Sequence, residues 1–361
     1  MPITELHAVG DVRRAARQYG IPYGVDPLVF RLAFPNFASI KALRDRRYAP
    51  LDRLTPYQPD SFRSLEEARR VAHGAIDEQD ECGADFYFAA GFALRDLDDK
   101  WLVRNAKLLE LSLAHAAAYG KPLFAVLDLP LEALSTPEAQ IRLANRLARG
   151  RPSAFLVNFD RLELDSPPTQ LFWAIRLMLL LQDSGAPTLL GRAGSLRYLF
   201  PAFGVAGIED GLGRYSGFRL SDFNGDRRPF GAHPPRFEFP SLLESLPPDK
   251  ALAALNSGLV PEADCDCRAC GRAASPRDQL AATYLHNSEM LKREAQALVG
   301  LTPADRVERL QQTIGKARLL DRELRRADVW QRRLTHLSGF TEAIALARPL
   351  LTAERLSRRA A

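Results

Sequence analysis

Residues 122–162 read PLFAVLDLPLEALSTPEAQIRLANRLARGRPSAFLVNFDRL. Two short apolar runs, PLFAVLDL (122–129) and SAFLVNFDRL (153–162), flank a stretch in which apolar residues return every three or four positions. The runs suit strands buried on both faces, and the stretch between them suits an amphipathic helix ending near Gly150. Strand, helix and strand within about forty residues predict a parallel βαβ unit.

The alternation continues on both sides. Further strands are expected over LVFRLAF (28–34), ADFYFAAGFAL (84–94), PTLLGRA (187–193), VAGIEDG (205–211) and GFRLSD (217–222). Helices are expected over SLEEARRVAHGAIDEQ (64–79), NAKLLELSLAHAAAYG (105–120), TPEAQIRLANRLARG (136–150) and TQLFWAIRLMLLLQDSG (169–185), with Gly120, Gly150 and Gly185 as left-handed caps. Such a pattern makes an α/β protein, wound either as an open sheet or as a (β/α)8 barrel. No GxGxxG opens the first unit, which removes the main sign of a dinucleotide fold. The expected organisation is a main α/β part over residues 1–260, a small subdomain over 261–300 and a basic helical segment over 301–361. The proline-rich texture after Asn224 reads as a long connection into the metal-binding element.

Composition narrows the setting. The 361 residues carry a net charge of +5 and 46% hydrophobic residues, an ordinary balance for a globular chain. No apolar run is long enough for a membrane span and the start lacks a secretory pattern, so a cytoplasmic protein without a membrane partner is expected. From Leu301 onward there are thirteen Lys/Arg against seven Asp/Glu, which suits either a solvated helix face or a phosphate-binding surface.

Three of the four cysteines fall within CDCRACGRAASPRDQLAATYLH (265–286). Thiolates at Cys265, Cys267 and Cys270 can converge on one ion from a tight loop, and His286 can return as the fourth ligand from a following helix. A Cys3His shell leaves no vacant position for water, so a structural Zn2+ is expected rather than a catalytic one. The H-x-E pattern of zinc deaminases is absent, because Asn287 and Ser288 follow His286. Cys82, remote from this group, reads as a buried thiol.

At these residues the sequence resembles the tRNA-guanine transglycosylase family, whose zinc subdomain carries C-x-C-x-x-C followed by a helix bearing a His-Asn pair, here QLAATYLHNSEMLKREAQAL (279–298). TLLGRAGSLRYLFPAFGVAGIEDGLG (188–213) is similar to the stretch that leads to the family's nucleophilic aspartate. The spacing from Gly204-Val205 puts that nucleophile at Glu209, whereas residue identity puts it at Asp210. PLFAVLDLPLE resembles the strand whose terminal aspartate, here Asp128, helps hold the base. The family's Asp-Ser-Gly-Gly-aromatic-Gln segment and Gly-Gly-Leu-Ala-Val-Gly-Glu loop are missing, which marks a divergent branch.

The resemblance implies a (β/α)8 TIM-like barrel over residues 1–260 with a small zinc-binding subdomain over 261–300, and exchange of a guanine-type base for a 7-deazaguanine in tRNA or DNA through a covalent carboxylate intermediate. It equally allows a non-catalytic nucleic-acid-binding protein, as a homodimer or a partner subunit. Carboxylates at C-terminal strand ends line the working face of a barrel, and Asp128, Asp160, Glu209, Asp210 and Asp222 all fall at or near predicted ends. Adjacent residues of a strand face opposite ways, so only one of Glu209 and Asp210 can point into a shared pocket. Arg192 and Arg214 are candidate phosphate contacts, and Phe92 is a candidate base-stacking ring as well as a candidate core residue.

Overall fold

The computed structural model describes residues 9–18, 20–95, 100–209, 218–223, 235–331 and 333–352. Strands β1 (Tyr87–Phe88), β2 (Leu123–Pro130), β3 (Ala154–Asp160), β4 (Thr188–Gly191) and β5 (Gly207–Glu209) form one parallel sheet in chain order. β1 pairs with β2 from Tyr87 opposite Leu123, and β2 with β3 from Phe124 opposite Ala154. An order without reversal is the winding of a barrel wall, whereas a doubly wound sheet reverses at its switch point. The α/β class is therefore observed, but the sheet stops at five strands among the described residues and no closed (β/α)8 barrel is shown.

Two expected strands are turns instead. Residues Val29–Ala33 form a 3₁₀ turn entered through Leu28 at φ 53°. The Asp26 carboxylate accepts the Leu28 N–H at 2.8 Å, a local bond that competes with strand pairing. Leu220–Phe223 is likewise a 3₁₀ turn, and the Leu220 N–H donates to Asp160 Oδ1 at 2.7 Å. In both places a carboxylate takes the donor that a ladder would need.

The chain divides into two compact units, residues 1–161, 180–189 and 219–227 in one and residues 162–179, 190–218 and 228–361 in the other. In the first unit, α1 (Val9–Gln18) and the single turn α2 (Lys41–Arg44) precede α3 (Leu65–Glu81), α4 (Lys100–Ala116) and α5 (Pro137–Ala148). Ser64 caps α3 by accepting the Glu67 N–H at 3.1 Å. Gly120 and Gly185 take the left-handed conformation expected of them, at φ 66° and 92°. After α5 that conformation falls instead on Arg151, at φ 52°.

The outer edge of β1 is closed by side chains. Tyr87 and Ala89 donate their N–H groups to Pro122 and Phe124 of the β2 side, so the backbone of Phe88 faces away from the sheet. Gln79 of α3 meets it there. The Gln79 Oε1 accepts the Phe88 N–H at 2.7 Å, and its Nε2 donates to the Phe88 carbonyl at 2.9 Å. Asn105 of α4 brackets Phe92 in the same way, at 2.9 and 2.6 Å. These amides stand where a neighbouring strand would stand, which explains why the expected strand 84–94 is regular only over Tyr87–Phe88.

After α6 (Pro168–Gln182), the second unit holds a hairpin where the sequence suggests only a connection: β6 (Phe237–Phe239) and β7 (Glu244–Leu246) pair antiparallel. Helices α7 (Pro248–Asn256), α8 (Pro276–Ala281), α9 (Thr283–Leu298), α10 (Pro303–Arg326) and α11 (His336–Ala347) follow. Phe237, Phe239, Leu242, Leu255, Met290 and Leu324 share one buried cluster with Cys267 and Cys270. Thr302 and Asp305 form a reciprocal capping box at the start of α10. Among the described residues no helix is long and apolar enough to cross a membrane.

Replacing Gln79 with Ala would leave the half-buried Phe88 without partners for its N–H and carbonyl. The expected loss of stability is about 1–3 kcal/mol in denaturant unfolding; an unchanged midpoint would show that the edge is closed by something else.

Candidate functional site

The four candidate ligands, Cys265, Cys267, Cys270 and His286, are brought together by a loop and a helix. Pro261–Asp264 makes a 3₁₀ turn that delivers Cys265, and a second turn begins at Cys270. Between them the chain folds back, with the Gly271 N–H donating to the Cys267 carbonyl at 2.8 Å. His286 arrives from the first turn of α9. Its Nδ1 lies 3.7 Å from Cys265 Sγ, 3.8 Å from Cys267 Sγ and 3.2 Å from Cys270 Sγ. All four ligand atoms lie within 4.8 Å of one another. A tetrahedral ion with metal–sulfur bonds of about 2.3 Å and a metal–nitrogen bond of about 2.0 Å requires sulfur–nitrogen edges of roughly 3.5 Å. The donor set and its spacing therefore fit a metal ion.

The surroundings prepare the ligands. His286 Nε2 donates to the Glu238 carbonyl at 3.0 Å, which leaves Nδ1 facing the three sulfurs. Phe237 stacks on the imidazole at 3.9 Å, with 14° between the planes. The next residue extends the attachment: Asn287 Oδ1 accepts the Glu238 N–H at 3.0 Å, and its Nδ2 donates to the Arg236 carbonyl at 2.8 Å. The Glu238 side chain is held in turn by Arg197, at 3.1 Å, and by the Tyr198 hydroxyl, at 2.6 Å. Cys267, Cys270 and His286 are buried, while Cys265 is half-buried.

Burial pushes the His286 pKa down to about 4, so the ring is a neutral ligand at pH 7. Burial also raises the Cys270 and Cys265 thiols. Burial opposes ionisation at Cys267 too, but hydrogen bonds to its sulfur, first from the Cys270 backbone N–H, hold that thiol below its ordinary value. A metal must therefore displace protons from at least two reluctant thiols.

A second group of polar side chains lies in the first unit. Asp128 sits opposite Asn158 in the β2–β3 register, and Asp160 follows two residues further on, opposite Pro130. The period of two puts Asp128, Asn158 and Asp160 on the same face of the sheet. Asp128 is only 4% exposed and Asn158 only 6%. Asn158 Nδ2 donates to Asp128 Oδ1 at 2.7 Å, and the buried Asn158 Oδ1 has no hydrogen-bond partner among the described residues. Asp160 caps the 3₁₀ turn at Leu220. Sequence reasoning passed over Asn158, although an amide inside the apolar run AFLVNFD, two residues before a carboxylate, is the signal that finds it.

The remaining candidates are placed as follows. Glu209 ends β5, where its Oε2 accepts the Arg192 N–H at 3.1 Å and its carbonyl accepts the Ala193 N–H at 3.3 Å. Arg192 holds φ 52°, and its guanidinium lies 5.1 Å over the Phe218 ring. Phe92 is 2% exposed, packed between Tyr57, Phe62 and Trp101 with the Trp101 ring stacked at 4.3 Å. It is a core residue and offers no free face to a base. Asp210 and Arg214 lie outside the described residues, as does the side chain of Asp222. Cys82 ends α3 as a half-buried free thiol.

No protein-family model matches the chain, and no curated protein matches it by sequence.

Purified protein is expected to carry one metal ion per chain, and Cys267→Ser or His286→Ala should lose it together with cooperative unfolding of the second unit. Acid should release the same ion. Protons compete for the raised thiols, and the neutral His286 required by the fold is fully favoured above about pH 6.5 and lost as pH falls toward 4. A chromophoric chelator reads both; a metal retained at pH 4 contradicts the assignment.

Proposed function

We propose that this chain is a divergent transglycosylase of the tRNA-guanine type, which exchanges a guanine-type base in nucleic acid for a 7-deazaguanine, with a structural zinc in the Cys265, Cys267, Cys270 and His286 site. Zinc suits the donor set, because three thiolates and an imidazole in a tetrahedron match its preferences. Four protein ligands leave it no open position, so its contribution is to hold the loop, α9 and β6 together.

The observation that carries the catalytic reading is the buried Asp128–Asn158 pair on a parallel sheet. A carboxylate and an amide side by side present the acceptor and donor array that the edge of a purine requires. The unpartnered Asn158 Oδ1 supplies a free acceptor for a ring or exocyclic N–H. In this reading Asp128 holds the base and passes its proton, and Asp160 orders the turn at Leu220.

The exchange runs in two displacements. The nucleophilic carboxylate, Asp210 or Glu209, attacks the anomeric carbon as the carbon–nitrogen bond breaks, and the departing base takes the electron pair and a proton. The incoming deazaguanine then gives up a proton and attacks the glycosyl ester from the face the first base left, which frees the carboxylate with retention. Asp210 is the preferred nucleophile on identity, since the Glu209 carboxylate is already engaged by the Arg192 N–H. Arg192 and Arg214 are proposed phosphate contacts.

That engagement of Glu209 also favours a second reading, a nucleic-acid-binding or partner subunit without chemistry. Incubation with tRNA or duplex DNA and a radiolabelled deazaguanine separates the two. Enzymatic exchange should incorporate label, and Asp128→Ala should lower the rate about 10²–10⁴-fold. Salt-dependent binding without incorporation supports the second reading, and incorporation that survives Asp128→Ala removes the site assignment.

A further inference from the structure

The C-terminal half of α10, the connection after it and the first turn of α11 enclose a cavity of about 250 Å³. Arg318, Arg322, Arg325, Arg333, Asp321 and Ser338 line it. Arg318, Arg322 and Arg325 recur at helical spacing and share one face of α10, and Arg333 comes from the connection. Four guanidinium groups thus meet one carboxylate in a concave space.

The carboxylate does not balance the four. Asp321 is buried, and its oxygens are occupied by the Arg325 Nε at 3.3 Å and the Trp330 indole N–H at 3.2 Å. Arg318 is fixed from the other side, with its Nη2 donating to the Leu337 carbonyl at 3.2 Å and to Thr341 Oγ1 at 2.9 Å. Its Nε is buried and has no partner among the described residues. Arg322 and Arg333 are exposed and have no hydrogen bond or ion pair with a described residue. Cations gathered without counterions repel one another, and a bound anion relieves that repulsion.

We propose that this crevice binds a phosphate group, supplied by the backbone of a nucleic-acid strand. Guanidinium forks match phosphate oxygens in pairs, and the cavity has room for a tetrahedral anion approached from several sides. Arg318 and Arg325 form its fixed wall, Ser338 adds a hydroxyl donor, and Arg322 and Arg333 close on the ligand from the rim. From Leu301 onward the sequence carries thirteen Lys/Arg against seven Asp/Glu, which suits a polyanion better than a small isolated one. The choice of a nucleic-acid source rests on the proposed function; the phosphate chemistry of the crevice does not.

The test uses the full chain and fluorescence anisotropy with a labelled 20-base-pair duplex and a labelled RNA hairpin over a range of salt. Arg322→Ala/Arg333→Ala removes two rim contacts, and Lys316→Ala/Arg326→Ala removes the same charge from exposed α10 positions outside the crevice. Each double variant is first checked for an unchanged melting temperature, with Arg322→Gln/Arg333→Gln as the substitute if the alanines melt early. The crevice variant should bind roughly tenfold or more weakly at 0.1 M salt, with a log–log salt slope shallower by about 2, while the control changes little. Equal losses in the two variants would overturn the crevice as a site. Inorganic phosphate forms the second arm: phosphorus-31 line broadening that depends on Arg322 and Arg333, without binding of either nucleic acid, would overturn the nucleic-acid source. Loss of base exchange with the crevice effect intact would instead fault the catalytic reading alone.

Discussion

The constraint on which the second unit depends is the attachment of α9 to β6 through His286 and Asn287. One side of the imidazole faces three cysteine sulfurs, and the other donates to the Glu238 carbonyl. Asn287 takes the Glu238 N–H and the Arg236 carbonyl, so two consecutive side chains of one helix satisfy the outward backbone of one short strand. A strand of three residues cannot hold itself in place by pairing alone. Its position is set instead by the ligand loop on one side and, through the Glu238 carboxylate, by Arg197 and Tyr198 on the other. Losing the metal side would leave a buried ion pair and a buried amide pulling on an unanchored strand.

The central βαβ unit was legible in the sequence because its strands are long and apolar and its helix periodic. β2, α5 and β3 lie within one or two residues of the expected positions. The Cys3His group was legible because cysteine is rare in this chain and its spacing is specific. What could not be read was which polar side chains would intercept backbone groups. Asp26 and Asp160 convert two apolar runs into turns, and Gln79 and Asn105 close the edge of β1. Each is a long-range or conformational choice that periodicity does not encode. The β6–β7 hairpin was hidden for a simpler reason: three-residue strands among prolines carry no readable period.

The same distinction governs the candidate chemistry. Asp128 was found from its place at the end of an apolar strand, but its partner Asn158 emerges only when the register sets them side by side. Phe92, open on sequence to base stacking or to the core, is a packing residue, since its faces are filled by Trp101 and its neighbours. In the proposed function the metal site and the polar pair divide the work. Four ligands around an ion would hold the architecture, and Asn158 keeps an unfilled acceptor beside Asp128.

Zinc K-edge absorption of the purified protein tests that division most directly. The account predicts three sulfur scatterers at about 2.3 Å and one nitrogen at about 2.0 Å, unchanged when nucleic acid or free base is added. A shell containing a water oxygen, or one that changes on adding base, would place the chemistry at the metal and contradict the account.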